Sequence, residues 1–224
     1  MAGSHPPAGM RWVGYGHEAI AVSVGWGTNV TRCGRPQRDT VLIDRGTVPA
    51  CYAPPRGGVE SVKVTRGPRP FHHLAADPIT IDGVRAERRV TTCRSFEQSG
   101  TRRSPEKVLC SGSLYFPGDR VGFKVESSIG PVGVDELLAR VHHLPDLVGV
   151  PASRELFARE RTHSGAAYLR SLRENGLRAE VIRCRECGLP GGYVLGTKPA
   201  AGTMRPPGSR VIVIISAPAR GSRR

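Results

Sequence analysis

Apolar residues up to about position 130 fall in short runs, or alternate with polar residues, between clusters rich in Gly, Pro and Asp. Runs of roughly four to eight such residues bounded by turn-forming clusters are typical of β-strands. The region is therefore expected to form a mostly antiparallel β domain. The predicted strands are 18–26, 40–44, 58–65, 78–93, 106–116 and 120–128.

The apolar period then changes. Val134, Leu137, Leu138 and Val141 recur at the spacing of one helical face. This pattern predicts a helix that closes the first domain or links it to the second.

A domain boundary is expected between Leu144 and Pro145, because the residue before a proline disfavours helical conformation. The organisation predicted from these patterns is a disordered leader at 1–10, a β-rich domain at 11–143 ending in a helix, a small unit at 144–217 and a basic tail at 218–224.

The small unit is predicted to contain one helix and three strands, which gives an α+β fold class for the whole chain. Tyr168, Leu169 and Leu172 line one helical face, and Gly176 followed by Leu177 predicts a Schellman ending. The last strand is so continuously apolar that both its faces are expected to be largely covered. The three strands are predicted at 178–184, 192–198 and 210–216.

Several short motifs follow one another in this unit. They are PDLVG at 145–149, NGL at 175–177, Val194, PAAGT at 199–203 and PGS at 207–209. In this order they resemble the PASTA domain, a module of the extracellular parts of penicillin-binding proteins and serine/threonine kinases of Gram-positive bacteria. The resemblance implies a cell-wall location, and either contact with peptidoglycan or a role as a spacer.

The resemblance covers roughly residues 144 to 217 and leaves the ligand-binding residues unknown. Segments 151–165 and 184–192 are insertions relative to the family's pattern. The first 140 residues resemble domains of actinobacterial exported proteins. That second resemblance implies no activity.

The cysteines bear on the cellular compartment. They form three sequence-local pairs, but six thiols permit 15 pairings and local pairing is only one of them. Disulfides would imply an oxidising compartment. The six are Cys33, Cys51, Cys93, Cys110, Cys184 and Cys187.

The sequence shows no export signal, although disulfides would imply that the protein is exported. The first 20 residues have no apolar signal segment, and no run of about 18 apolar residues could span a bilayer. We expect an exported protein whose signal is missing from this sequence. The alternative is a cytosolic protein with reduced thiols.

The chain is strongly basic, with a net charge of +14 and a pI near 10.4. The excess is spread evenly, as +6 over 1–143 and +8 over 144–224. An anionic envelope polymer and nucleic acid are both compatible partners. Only two Trp, five Tyr and five Phe are present as base-stacking platforms, which argues against nucleic acid.

Four motifs suggest chemistry, and each has a simpler interpretation. The S-x-x-K at 104–107 is a catalytic motif of penicillin-binding proteins, but the S-x-N and K-T-G elements that accompany it in those enzymes are missing from this sequence. The G-x-G-x-x-A at 14–19 matches a dinucleotide-binding motif, which must follow a buried strand and begin a helix. Here it follows MRWV, a poor strand, and precedes AIAVSV, a good strand, so it is interpreted as a glycine-rich entry to a strand. The C-x-x-C at 184–187 is interpreted as a small-loop disulfide, with free thiols, metal binding and a redox dithiol as alternatives.

The last motif is a pair of adjacent histidines, found at 72–73 and again at 142–143. Neighbours on a strand face opposite sides, so neither pair is expected to bind one metal. No catalytic, cofactor-binding or metal-binding residue is predicted. The sequence thus favours a non-enzymatic, exported cell-envelope protein whose PASTA-like unit contacts peptidoglycan or acts as a spacer; the alternative is a cytosolic, basic nucleic-acid-binding protein.

Overall fold

The computed structural model describes residues 5–43, 56–67, 76–96, 107–153, 164–185, 187 and 191–217. Within them the chain has an α+β fold, as predicted. The helices are α1 (Pro131–Leu138) and α2 (Gly165–Glu174). The strands are β1 (Met10–Tyr15), β2 (Glu18–Ser23), β3 (Gly27–Thr28), β4 (Thr31–Arg32), β5 (Arg35–Pro36), β6 (Thr40–Ile43), β7 (Glu60–Arg66), β8 (Asp77–Ile81), β9 (Val84–Phe96), β10 (Lys107–Phe116), β11 (Val121–Ser127), β12 (Val141–His143), β13 (Val148–Gly149), β14 (Arg178–Cys184), β15 (Val194–Lys198), β16 (Met204–Arg205) and β17 (Arg210–Ser216).

The largest sheet has seven strands in the order β3-β6-β7-β11-β10-β9-β8. Its pairs are antiparallel, except that β6 runs parallel to both β3 and β7. Helix α1 packs on β9, β10 and β11. This arrangement matches the predicted, mostly antiparallel β domain.

A second sheet, β1-β2-β12, covers the seven-stranded sheet. Strands β1 and β2 form a hairpin in which Tyr15 pairs with Glu18, so the turn has only two residues. On the face toward the large sheet, Val13, Tyr15, Ile20 and Val22 join the main core.

The opposite face of the hairpin is also buried. Trp12, Ala19 and Ala21 form a separate core cluster there. The C-terminal part of the chain completes it with Leu144, Leu147 and Met204. The β1–β2 hairpin is therefore a middle layer with a core on each side.

This middle layer corrects two predictions at the N-terminus. MRWV was expected to be a poor strand, yet it begins β1, and Met10 belongs to that strand rather than to a disordered leader. The strand forms because it pairs along its whole length with β2. It also buries Trp12 on one face and Val13 on the other.

The helix predicted across 134–141 is shorter than expected. Helix α1 ends at Leu138, and Val141 begins strand β12, so a strand rather than a helix closes this region. Val141 pairs with Ile20, and Ala21 donates its backbone N–H to Arg140 O. The apolar spacing arose because Val141 enters the same core as the helix from a neighbouring strand.

Among its described residues, the C-terminal unit has the predicted helix and three-stranded sheet, together with the two short strands β13 and β16. Its sheet order is β14-β17-β15, with β14 parallel and β15 antiparallel to β17. Helix α2 ends in the predicted Schellman motif: Leu177 N–H donates to Leu172 O, and Gly176 N–H to Arg173 O, each over 2.9 Å. Gly176 has a φ of 70°, which glycine adopts without strain.

One face of the last strand is less covered than predicted. Val211, Val213 and Ile215 are buried against the helix. Ile212 and Ile214 on the other face are half-buried, beside Ile182 on β14. The difference arises because α2 covers only one side of this sheet within the described residues.

Backbone hydrogen bonds attach the C-terminal unit to the hairpin. Leu144 N–H donates to His17 O over 2.7 Å, and Gly149 N–H to Gly16 O over 3.0 Å. Strands β13 and β16 pair with each other next to β1. The unit keeps its own three-stranded sheet while resting on the outer face of the hairpin.

Disulfides join Cys93 to Cys110 and Cys184 to Cys187, as local pairing predicted. Cys93 and Cys110 lie directly opposite each other on β9 and β10. Cys33 is also disulfide-bonded. Cys51, its predicted partner, lies outside the described residues, as does the tail at 218–224. Neither described helix is long and apolar enough to cross a membrane.

Candidate functional site

A cleft of about 780 Å³ lies between the C-terminal unit and the two sheets that precede it, the seven-stranded sheet and the β1-β2-β12 sheet. These two sheets are called the front sheets below. The β1–β2 turn and the β10–β11 turn form one wall, and the C-terminal end of α2 forms the other. Arg66 bridges the walls by donating from Nη1 to Asn175 Oδ1 over 3.5 Å. The polar residues that line it include Arg66, Asp119, Arg120, Ser171, Glu174 and Asn175.

Local sequence explains how these side chains reach the cleft. The turn between β10 and β11 contains Pro117, Gly118, Asp119 and Arg120, and Arg120 has a φ of 56°. This conformation reverses the chain and carries Asp119 to the base of the cleft. Asn175 occupies the C-cap position of α2, so its side chain lies at the helix end.

A cluster of ionisable groups lies at the base of this wall. Glu18 is 1% exposed, and its Oε1 lies 3.0 Å from Nδ1 of His143. Its second oxygen, Oε2, is buried and accepts no hydrogen bond from a described donor. The same holds for the buried Oδ2 of Asp119, and the two side chains contact each other. Ligand atoms of Glu18, Asp119 and His143 all lie within 4.8 Å of one another.

The environment strongly disfavours a charged Glu18. Burial is the main cause, followed by the charge of Asp119, a hydrogen bond between the Glu18 and Asp119 side chains, and the charge of Asp82; together they raise the pKa of Glu18 to about 9. Two carboxyl groups this close cannot both be negative at low cost, so they need a shared proton or a cation between them.

Two further histidines flank the cluster. His17 Nδ1 lies 2.8 Å from Leu147 O, and because a carbonyl can only accept, Nδ1 carries a proton. The rings of His17 and His143 are 5.9 Å apart. His142 Nδ1 lies 3.0 Å from Asp82 Oδ2, which also accepts from His143 N–H.

The adjacent histidines behave as the strand geometry predicted. His142 contacts Asp82, whereas His143 contacts Glu18. The pair therefore does not converge on one point. His72 and His73, the other pair, lie outside the described residues.

The remaining motifs are found in separate places. Gly14 and Gly16 lie in the β1–β2 hairpin, and no helix follows them. Lys107 begins strand β10, while Ser104 lies outside the described residues. Cys184 and Cys187 are joined at the end of β14.

Sequence reasoning missed Glu18, Asp119 and His143 as a group. They come from β2, the β10–β11 turn and β12, and Glu18 and His143 are 125 positions apart. A usable signal was present at Gly16 and His17, since two residues including a glycine between two apolar runs predict a tight hairpin. That hairpin would have marked Glu18 as a buried acid at its turn.

No protein-family model matches this chain, and no curated protein matches it. Among solved structures, it is similar to penicillin binding protein 2X from Streptococcus thermophilus, with 9% sequence identity and a TM-score of 0.23. The match covers 61% of this chain and 22% of that one, so the chain spans about a fifth of that protein's length. A likeness at this level does not establish a shared fold. The resemblance of residues 144–217 to PASTA domains stays a prediction.

Proposed function

We propose that this chain is a non-catalytic protein of the cell envelope and that its cleft binds stem-peptide fragments of peptidoglycan. The observation that carries the proposal is the charge arrangement across the cleft. Arg66, Asp119 and Arg120 line the front wall, giving it two cations and one carboxylate, and Glu174 lines the helix wall opposite.

This arrangement suits a ligand with charges of both signs. Peptidoglycan stem peptides carry carboxylates, and many also carry the ammonium group of a diamino acid. Guanidinium groups bind carboxylates through paired hydrogen bonds, and Glu174 offers a partner for an ammonium group. A volume of about 780 Å³ is in the range usual for small-ligand sites.

The cysteines support a location outside the cytosol. Cys33, Cys93, Cys110, Cys184 and Cys187 are all disulfide-bonded, and disulfides persist mainly in oxidising compartments. The alternative of a cytosolic nucleic-acid-binding protein requires reduced thiols. It would also require steeply salt-dependent binding to polyanions.

The test uses the full-length, oxidised chain, because residues 144–217 share a core cluster with Trp12 and the hairpin. Co-sedimentation with purified cell walls and calorimetric titration with a soluble stem peptide are both measured. Replacing Arg66 and Arg120 together by Gln is expected to weaken peptide binding at least about tenfold, because two charge-assisted contacts are lost.

The matched control replaces Arg85 and Arg94, two exposed arginines of β9 that do not line the cleft, by Gln. It changes the net charge equally and should leave binding unchanged. Equal losses in both double variants would mean nonspecific charge attraction and would refute the cleft site. Tighter binding to a DNA duplex than to walls would favour the alternative.

A further inference from the structure

We propose that Glu18, Asp119 and His143 bind one divalent transition-metal ion, such as Zn²⁺ or Mn²⁺. The inference is independent of the peptidoglycan proposal. It concerns side chains of β2, the β10–β11 turn and β12, which are brought together at the base of the cleft.

The spacing of the three groups fits a metal ion. Their ligand atoms lie within 4.8 Å of one another, and Glu18 Oε1 is 3.0 Å from His143 Nδ1. Zinc binds oxygen and nitrogen ligands at roughly 2.0–2.2 Å. Two ligands at neighbouring positions around such an ion are separated by about 3 Å, so the side chains need little movement to share it.

The buried oxygens are compatible with a bound cation. Glu18 is 1% exposed, and neither its Oε2 nor the buried Oδ2 of Asp119 accepts a hydrogen bond from a described donor; the two carboxyl groups contact each other, so a proton or a cation must lie between them. Burying a carboxylate without a donor or a cation is costly. Gly16 leaves space here, because a Cβ at that residue would lie 3.3 Å from Asp119 Oδ2.

The local charge favours a cation over a single shared proton. Asp82, which contacts His142 Nδ1 and the backbone N–H of His143, adds a third carboxylate near Glu18. Among the described residues, no Lys or Arg forms an ion pair with Glu18 or Asp119. One proton neutralises one of these charges, whereas a divalent ion neutralises two.

The ligand types narrow the choice of ion. Two carboxylates and one imidazole make a mixed oxygen and nitrogen set without thiolate, which suits Zn²⁺ or Mn²⁺. Ca²⁺ and Mg²⁺ prefer oxygen ligands throughout. Because Asp119 also lines the cleft, a bound ion would fix the position of that wall.

The experiment uses the full-length, oxidised chain after removal of metals with EDTA. Titration calorimetry and equilibrium dialysis with ZnCl₂ and MnCl₂ measure affinity and stoichiometry, with CaCl₂ as a comparison. We expect one Zn²⁺ or Mn²⁺ per chain at this site, with weaker Ca²⁺ binding. Glu18→Gln, Asp119→Asn and His143→Gln should each weaken binding at least about tenfold.

The matched control is Glu60→Gln. Glu60 is a half-buried acid whose pKa is also raised by burial, but it accepts a hydrogen bond from Ser127 Oγ and lies outside the cluster. This variant should bind the ion as the unaltered chain does. Circular dichroism checks that each variant is folded, and the visible spectrum of bound Co²⁺ should change in His143→Gln.

Three results would overturn the proposal. The first is that the chain binds neither Zn²⁺ nor Mn²⁺. The second is that Glu18→Gln and Asp119→Asn bind the ion as tightly as the unaltered chain does, which would place the ion elsewhere. The third result is that Glu18→Gln stabilises the metal-free chain while ions leave the unaltered chain's melting temperature unchanged. That pattern would show that the two carboxyl groups share a proton instead.

Discussion

Gly14 donates its backbone N–H to the carbonyl oxygen of Gly202 over 2.8 Å, which joins the first strand of the chain to the C-terminal unit. The contact depends on the absence of a side chain at Gly202. A Cβ there would lie 2.7 Å from Cδ1 of Ile43 and 3.1 Å from Cγ1 of Val13.

Replacing Gly202 by Ala should destabilise the chain, because the methyl group would meet these two side chains. Gly208→Ala is the matched control, since both glycines have a positive φ, 77° and 80°, but nothing lies within 4 Å of a Cβ at Gly208. We expect Gly202→Ala to lower the free energy of unfolding by about 1–3 kcal/mol more than the control. Urea unfolding measures both, and equal losses would show that the close approach is unimportant.

The stability of the metal-free chain should fall as the pH rises from about 5 to 9. Burial raises the pKa of Glu18 from 4.5 to about 9, with Asp119 and Asp82 adding to it, so the folded state holds a proton that the unfolded state releases. The stabilising contribution is complete below pH 4.5 and is lost progressively as the pH rises toward 9.

The measurement is urea unfolding in EDTA across this pH range, compared with Glu18→Gln. Gln cannot titrate, so its curve should lack this slope. His143, whose Nδ1 lies 3.0 Å from Glu18 Oε1, is present in both proteins. Parallel curves for the two proteins would contradict the raised pKa.

The two described disulfides should stabilise the chain unequally. Cys93 and Cys110 are 17 positions apart, and Cys184 and Cys187 only 3. In the chain-entropy model the longer loop contributes about 3 kcal/mol and the shorter about 1.5 kcal/mol. Double replacement by Ala, followed by chemical unfolding, measures each loss; a larger loss for the short loop would contradict the loop-length argument.

The hydroxyl of Tyr168 should contribute to the C-terminal core. It donates to Pro151 O over 2.8 Å in a buried setting, so Tyr168→Phe leaves that carbonyl without its donor. We expect a loss of about 1–2 kcal/mol in the free energy of unfolding. Tyr193→Phe is the control, because the Tyr193 hydroxyl donates no described hydrogen bond, and it should be close to neutral; similar losses in both would argue against the Pro151 contact.

Local sequence signals predicted the elements whose cause is local. The Schellman ending at Gly176 and Leu177 followed from the residue types alone, and apolar runs located β6, β7, β10 and β11. These features need only neighbouring residues in the chain. The single strand predicted at 78–93 is instead a hairpin of β8 and β9, because the chain turns back at Asp82 and Gly83.

The elements that depend on distant partners were not predictable in this way. Strand β12 exists because Val141 pairs with Ile20, and β1 is a strand because it is covered on both faces. The Glu18 cluster has the same origin, since its members meet only after the hairpin, a turn and β12 are assembled. Spacing along the chain carries no record of that assembly.

Because the β1–β2 hairpin has apolar contacts on both sides, it belongs to neither half alone. Cutting the polypeptide after residue 143 would remove Leu144, Leu147 and Met204 and leave Trp12 facing water. We expect the two parts to melt together in one transition, so that damage at either end of the protein weakens the other.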